Sequence, residues 1–253
     1  DQLVGGSGAD TLMGGADNDL LIGDAGNDTL LGEEGDDELQ GGTDQDLLVG
    51  GGGQDRLFGQ ADDDQLVGEA GDDLLVGDAG DDQLVGGAGA DQLSGGAGDD
   101  RMEGGVGDDL FEGGVGTDTY VFNLGDGVDT ITDLVGEGNC VRFGSGISAE
   151  SIRLEKGTGD TLVLRVGRTD DAVQIVGYGI DNPAGPHPID HFEFADGTTM
   201  TYSQLVARGL NVPVPVTGGL VMGTLVNDQM HGSPSNDVLY GRLRPYLNKV
   251  MLA

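Results

Sequence analysis

The chain has few of the residues that hold most small folds together from inside. Its 253 residues include one cysteine and no tryptophan, and only 4% of them are aromatic. Cys140 therefore has no partner for an internal disulfide bond. No apolar run approaches the roughly 18 residues that a membrane-spanning helix requires, so we expect no membrane-spanning segment. Something other than disulfide bonds or a broad aromatic core must stabilise the fold.

Basic residues are also scarce. Lys and Arg number 11 against 46 Asp and Glu, which gives a net charge of -35. Residues 1 to 121 hold 31 of the acidic residues and two Arg, a net of -29, so the charge belongs to the first half of the chain. Such a chain repels nucleic acid and anionic membranes, and it attracts hard divalent cations that take oxygen ligands. Calcium is the natural candidate, and we expect no nucleic-acid partner.

From Gly5 to Val121 a nine-residue unit repeats thirteen times without an insertion or a deletion. The pattern is Gly-Gly-x-Gly-x-Asp-x-Leu-x, and its first position is Gly in every copy. The sixth position is always Asp: Asp10, Asp19, Asp28, Asp37, Asp46, Asp55, Asp64, Asp73, Asp82, Asp91, Asp100, Asp109 and Asp118. The eighth position is always large and apolar: Leu12, Leu21, Leu30, Leu39, Leu48, Leu57, Leu66, Leu75, Leu84, Leu93, Met102, Phe111 and Tyr120.

This repeat predicts an all-β fold, a parallel β-roll. Glycines at positions one, two and four suit tight turns that need a positive φ or a close backbone approach, and positions seven to nine can form a very short strand. Two units then make one coil of a β-solenoid, with strands on two facing sheets and the position-eight side chain inside. The core of such a roll is one leucine wide.

The position-six aspartates predict metal sites between the coils. Carboxylates stacked about 4.8 Å apart repel each other by about 1 kcal/mol in water and about 3.5 kcal/mol at an effective dielectric of 20, and a cation between them reverses the sign. Same-side pairs lie two units apart, as in Asp10 with Asp28. Backbone carbonyls of the turns would complete the six to eight oxygens that calcium prefers. This stacking predicts up to about eleven ions; the alternative is a disordered acidic tail, which gives no reason for an apolar residue every ninth position.

These thirteen copies resemble the RTX (repeats-in-toxin) family, whose haemolysin-type calcium-binding nonapeptide they match over residues 1–121. The resemblance implies calcium as the ligand, a secreted or cell-surface protein, and export through a type I secretion machinery. It also implies folding outside the cell, where calcium is abundant. Asp1 and Leu3 already lie in the nonapeptide register, so we expect the chain to begin in mid-array as a fragment.

Eight residues, in seven of the units, depart from the pattern. Position four or position two holds a residue other than glycine at Asp17, Asp44, Asp62, Asp24, Glu33, Gln60, Glu69 and Asp78. Because Asp tolerates a left-handed conformation, we expect these turns to form with some strain and weaker ion binding.

Position nine of alternate units forms an apolar stripe that should face outward from one sheet. It consists of Met13, Leu31, Val49, Val67 and Val85, and it ends at Glu103. One interpretation is a docking surface for another segment or a partner. The other is the strand propensity of these residues on an exposed sheet.

Residues 122–210 predict a β-rich C-terminal cap. Alternating apolar residues indicate strands, with hairpin turns at Lys156–Asp160 and Gly167–Asp171 and a short helix near Tyr202–Arg208. Residues 140–209 resemble the domain that often follows RTX arrays, through the motifs that begin at Phe143 and Ile189. At the end of the array, Asp126, Asp129 and Asp133 either bind one further ion or serve as turn residues.

The rest of the chain carries weaker patterns. Residues 211–217 read as an extended Pro/Val linker. Residues 218–253 contain two degenerate units, Asp228-x-Met230 and Asp237-x-Leu239, which lie out of register with the main array, and a tail.

No catalytic constellation is recognisable, so we expect this chain not to be an enzyme. His187 and His191 have the spacing of a zinc helix, but Pro188 interrupts it, and Cys140 has no evident histidine partner. The predicted function is a calcium-binding β-roll module of a secreted RTX protein. The alternatives are a calcium-rigidified segment of an adhesin or surface-layer protein, and the carrier module of a secreted protease or lipase.

Overall fold

The computed structural model describes residues 1–167, 170–178, 186–208, 210–211, 220–222 and 238–240. Most of these residues lie in strands, with one short 3₁₀ helix (Ala149–Ser151) and one short α-helix, α1 (Tyr202–Val206). The strands are β1 (Gln2–Ser7), β2 (Thr11–Ala16), β3 (Leu20–Ala25), β4 (Thr29–Glu34), β5 (Glu38–Thr43), β6 (Leu47–Gly52), β7 (Arg56–Ala61), β8 (Gln65–Ala70), β9 (Leu74–Ala79), β10 (Gln83–Ala88), β11 (Gln92–Ala97), β12 (Arg101–Val106), β13 (Leu110–Val115), β14 (Thr119–Phe122), β15 (Val128–Thr132), β16 (Cys140–Phe143), β17 (Ile152–Lys156), β18 (Thr161–Val166), β19 (Ala172–Val176), β20 (His191–Glu193), β21 (Thr199–Thr201), β22 (Leu210–Asn211), β23 (Leu220–Met222) and β24 (Val238–Tyr240).

The repeats form a parallel β-solenoid, as predicted. The first sheet begins with the odd-numbered strands β1 to β15, and the second with the even-numbered strands β2 to β16. Within the array each strand pairs in parallel with the strand two units away, so that Leu3 lies beside Leu21 and Leu12 beside Leu30. A register of 18 residues therefore stacks each unit on the unit of the next coil.

The strands of the array are longer than the three residues that the repeat suggested. Each of β1 to β13 runs for six residues, from position seven of one unit through position three of the next, as in β2, Thr11–Ala16. The reason is that positions two and three also pair between coils, as Gly6 with Asp24 and Ser7 with Ala25, although glycine has a low strand propensity. The turn is thereby reduced to positions four to six.

The core of the array consists of the position-eight side chains. The side chains from Leu21 to Leu84 at this position have no exposed surface, and the core is one residue wide along the array. It widens at Phe111 and Tyr120, whose rings meet edge to face with centroids 5.7 Å apart. Beyond them Phe122 packs on Phe143 in the same manner. The exit of the array is thus filled by aromatic rings instead of leucines.

Both sheets continue beyond the repeats into the C-terminal segment. In the first sheet β19 pairs with β15, and β17, β18 and β19 form two antiparallel hairpins. The first hairpin agrees with the predicted turn at Lys156–Asp160. Residues 168–169 of the turn predicted at Gly167–Asp171 lie outside the described residues. In the second sheet β14 is followed by β16, β20 and β21. Strand β14 crosses residue 121, and the division into a roll and a cap at that residue stays a prediction.

The helix is short and capped. The Thr201 side chain accepts a hydrogen bond from the backbone N–H of Gln204, and Tyr202, Leu205 and Val206 are buried.

None of the helices among the described residues has the length and apolarity needed to cross a membrane. The Pro/Val linker and most of the degenerate units lie outside the described residues; strands β23 and β24 from that region pair in parallel.

Candidate metal centre

Positions two and four of every unit have a left-handed backbone. All thirteen residues at each position have a positive φ, whether or not they are glycine. The residues other than glycine have φ between 73° and 85°, and they are the eight departures from the pattern: Asp17, Asp24, Glu33, Asp44, Gln60, Asp62, Glu69 and Asp78. The turn geometry therefore overrides side-chain preference, and strain is present at these residues because L-amino acids disfavour this region.

The glycine at position one is required for a different reason. None of these thirteen glycines has a positive φ. A Cβ on Gly14 would lie 2.7 Å from Asp19 Oδ2 and 2.8 Å from the carbonyl oxygen of Gly32 in the next coil. The invariant glycine thus keeps a carboxylate oxygen and a carbonyl oxygen facing one small space.

Each position-six aspartate joins two coils. From Asp28 to Asp118, its Oδ1 accepts a hydrogen bond from the backbone N–H of the aspartate 18 residues earlier, as in Asp28 Oδ1 with Asp10 N at 2.8 Å and Asp64 Oδ1 with Asp46 N at 2.8 Å. Asp19 Oδ1 accepts the corresponding hydrogen bond from the amino terminus of Asp1. The same-side pairs predicted from the sequence are therefore neighbours, and one carboxylate oxygen of each has a fixed role.

The second carboxylate oxygen of these aspartates, Oδ2, does not take part in the ladder. In all thirteen aspartates Oδ2 is buried and has no hydrogen-bond partner among the residues that the structure describes. A buried carboxylate oxygen without a partner is costly. Burial, opposed by the backbone hydrogen bond and reinforced by neighbouring aspartates, raises the pKa of Asp64 and of Asp100 to about 7. The same cause raises the pKa to about 6 in Asp46, Asp55, Asp73, Asp82, Asp91, Asp109 and Asp118.

These residues fit a calcium ion. The donors are carboxylate Oδ2 atoms and glycine carbonyl oxygens, which are the hard oxygen ligands that calcium takes. A divalent ion would supply the partner that each Oδ2 lacks, and it would offset the repulsion between stacked carboxylates. The arrangement is therefore suited to binding cations between coils.

A second ladder, at position five, was not predicted. This position is Asn or Asp in most units, and its Oδ1 accepts a hydrogen bond from the position-five N–H of the following coil, as in Asp63 Oδ1 with Asp81 N at 3.0 Å. The two ladders run in opposite directions, since position-six oxygens accept from the preceding coil. The sequence contained this signal, but exposed acidic residues are easily read as surface charge.

The position-six ladder continues past the repeats on both sides. Asp129 Oδ1 accepts from Asp109 N at 3.2 Å, and Asn139 Oδ1 accepts from Asp118 N at 2.8 Å. Their separations are 20 and 21 residues, so a search for an 18-residue period misses both. Burial, followed by the charge of Asp109 and Asp126, raises the pKa of Asp129 to about 8.

The structure does not bring Asp126, Asp129 and Asp133 together as one site. Asp133 lies at the aromatic end of the core, where its Oδ2 accepts hydrogen bonds from Tyr120 Oη and Asn139 Nδ2, each at 2.5 Å. Asp126 Oδ2 accepts from Asn123 N. Asp129 belongs to the position-six ladder, and the other two are structural acceptors.

The position-nine stripe lies on the outer face of the second sheet, as predicted. Met13 and Val85 are 53% and 37% exposed, whereas Leu31, Val49 and Val67 are half-buried. Whether the stripe binds a partner stays a prediction.

The sequence-based statement about Cys140 was wrong. His191 lies directly opposite Cys140 on the neighbouring strand, 51 residues later in the chain. His187 lies apart from them, with Nδ1 3.1 Å from the carbonyl oxygen of Tyr178 and its ring packed on Tyr202. The two histidines are thus not part of one zinc helix.

Two family models match the chain. The model of the RTX calcium-binding nonapeptide repeat matches residues 1–30, 31–66, 58–93, 85–120, 94–131 and 222–243. The model of the haemolysin-type calcium binding protein related domain matches residues 156–204.

Solved structures with similarity include the extracellular lipase LipA from Serratia marcescens, at 22% identity and a TM-score of 0.38. This match covers 69% of the present chain and 37% of the lipase. Another is the AlgE6R3 subunit of the mannuronan C5-epimerase from Azotobacter vinelandii, at 30% identity and a TM-score of 0.25, covering 47% and 72% of the two chains. No curated protein matches.

Proposed function

Because the chain belongs to the family of RTX calcium-binding nonapeptide repeat proteins, we propose that its repeat array is a calcium-driven folding module of a secreted protein. The observation that carries this proposal is the file of thirteen buried Oδ2 atoms without hydrogen-bond partners in the described structure. Beside nine of them, those of Asp10, Asp19, Asp28, Asp37, Asp46, Asp73, Asp82, Asp91 and Asp100, a glycine carbonyl oxygen of the next coil faces the same space. The ligands are the position-six aspartates, from Asp10 to Asp118, and together they bind up to about eleven ions.

The charge explains why ions drive the folding. Without calcium the net -29 of residues 1–121 favours an extended chain. Only the folded coils bring a carboxylate and a carbonyl from adjacent layers together, so binding energy becomes folding energy. A chain that stays unfolded where calcium is scarce is suited to type I export, and it folds where calcium is abundant. The module itself catalyses no reaction.

A calcium titration followed by circular dichroism tests the proposal. The chelator-treated chain should show little β structure and gain it steeply with calcium, because each ion is shared by two layers. Magnesium at the same concentrations should have little effect, since it holds its water shell. A β signal already complete in chelator would contradict the proposal.

We also propose that the position-nine stripe binds a partner. Val49→Glu with Val67→Glu should then abolish an association seen by light scattering and leave calcium-induced folding intact. Unchanged association would mean that strand propensity alone explains the apolar stripe.

A further inference from the structure

A group of metal-ligating side chains lies outside the repeats, on the second sheet. On β16, Val141 and Phe143 point into the core, so Cys140 and Arg142 lie on the other face. On β20, Phe192 points inward, which leaves His191 and Glu193 on the same outer face. One ligand atom from each of Cys140, His191 and Glu193 lies within 4.8 Å of the other two.

Burial and hydrogen bonding give this group the character of a built site. Cys140 is a free thiol with 3% of its surface exposed, while the side chains of His191 and Glu193 are 32% and 35% exposed. The group therefore has a buried floor and an open side. Glu193 Oε2 accepts a hydrogen bond from Arg142 Nε at 2.8 Å, and Oε1 lies 3.7 Å from His191 Nε2. The guanidinium thus holds one carboxylate oxygen and leaves the other beside the imidazole.

We propose that Cys140, His191 and Glu193 bind a zinc ion, with water as the fourth ligand. Sulfur, nitrogen and oxygen donors together suit zinc and other borderline transition metals, whereas calcium takes oxygen alone. Ligands at about 2.0 Å from a tetrahedral ion lie about 3.3 Å apart, so the 3.7 Å separation needs only a small adjustment. The fixed Glu193 oxygen corresponds to the outer hydrogen bond that commonly orients a ligating carboxylate.

Metal binding at Cys140 would have two consequences. A metal ligand must be the thiolate, so binding would release one proton. The ion would also join β16 to β20 across 51 residues of chain, independently of the calcium sites.

Cobalt(II) added to the calcium-saturated full chain is the test. A cobalt–thiolate bond gives an ultraviolet charge-transfer absorption that oxygen ligands do not give, so cobalt bound at the aspartates would not be mistaken for it. We expect one equivalent of cobalt to produce this band and zinc to remove it by displacement. Cys140→Ser should abolish the band. His191→Gln and Glu193→Gln should each weaken cobalt binding by more than about tenfold.

Glu155→Gln is the matched control, because Glu155 also pairs with an arginine, Arg165, at 2.8 Å but lies in the first sheet. It should leave cobalt binding unchanged, and calcium-induced circular dichroism should confirm that each variant folds. If Cys140→Ser does not fold, the His191 and Glu193 variants decide. Absence of the band in the folded parent overturns the proposal, as does a band that persists undiminished in both of those variants, since the thiol would then bind cobalt alone.

Discussion

The repeat array and the segment that follows it have different interiors. Each nine-residue unit of the array buries one apolar side chain and one carboxylate whose Oδ2 has no partner in the described structure. After residue 121 the interior contains Phe122, Phe143, Phe192 and their neighbours. The buried carboxylates of Asp126 and Asp171 there accept backbone hydrogen bonds, from Asn123 and Gly125. The array therefore buries carboxylate oxygens that lack a partner, whereas the following segment has a hydrophobic core.

This contrast predicts a direction of folding. The segment from Tyr120 to about residue 210 can form a core before ions bind, and its strands β15 and β16 offer edges on which the last coils pair. We expect it to nucleate the roll, which then grows toward Asp1.

The largest effect should come from removing the nucleus. Deletion of residues 126–253 should abolish calcium-induced folding at calcium concentrations that saturate the full chain. Deletion of residues 1–36 should leave the calcium midpoint nearly unchanged, because the new terminus, Asp37, has the same position in the repeat as Asp1. Calcium titrations followed by circular dichroism compare the two truncations. A capless array that folds at the parent's midpoint would show that the repeats nucleate themselves.

Acid should partly replace calcium in the array. Burial raises the pKa of Asp64 and Asp100 from 3.8 to about 7 in the folded chain. The folded state then binds more protons than the unfolded state, so the stability of the metal-free chain falls as pH rises from about 4 to about 7. Circular dichroism in chelator should show β structure increasing as pH is lowered through this window.

The double variant Asp64→Asn, Asp100→Asn provides the control for that titration. It removes two of the groups with the highest pKa, so the gain on acidification should be smaller. A β signal in chelator that is flat or decreases on acidification would mean that the carboxylates do not oppose folding.

The two carboxylates next to each other in one turn allow a finer comparison. Asp64→Asn keeps the Oδ1 acceptor for Asp46 N but removes the charge at Oδ2, so the calcium midpoint should rise several-fold. Asp63→Asn likewise keeps the acceptor for Asp81 N, and its carboxylate is exposed, so the midpoint should change little. Equal midpoints would show that position six has no special role.

The smallest expected effect concerns backbone strain. Glu33 has φ 77°, whereas its neighbour Glu34 lies at the end of strand β4, and both side chains are exposed. Glu33→Gly removes a left-handed L-residue, which favours folding by about 1 kcal/mol, whereas Glu34→Gly lowers strand stability by about 0.5 to 1 kcal/mol. Denaturant unfolding in calcium measures both free energies. If the variants were equally stable, the left-handed turn would carry no strain at Glu33.

The sequence could predict the roll because its regularity is local and exact in length. The 18-residue register, the inward position-eight side chains and the paired aspartates all follow from thirteen copies without a gap. Strand length was underestimated because the two positions after position nine, which are mostly glycine, carry no side-chain signal of a strand.

Other features could not be found because they depend on the path of the chain after the repeats. Asp129 and Asn139 take ladder places at 20 and 21 residues, where the period no longer applies. Cys140 meets His191 only because β16 and β20 become neighbours in the second sheet. No spacing rule relates residues 51 positions apart when the intervening segment forms a separate set of hairpins.

The uniform register of the array has a consequence for how the protein can change in length. Since the ladder bonds within the repeats join residues 18 apart, a gain or loss of two whole units would restore the pattern of these bonds. A change of one unit would instead exchange the two sheets upstream of it, and the stripe that contains Val49 and Val67 would move to the opposite face. A duplication or recombination that adds or removes an even number of units therefore preserves the register of the array. One that adds or removes an odd number moves the outward-facing residues upstream of it to the opposite sheet.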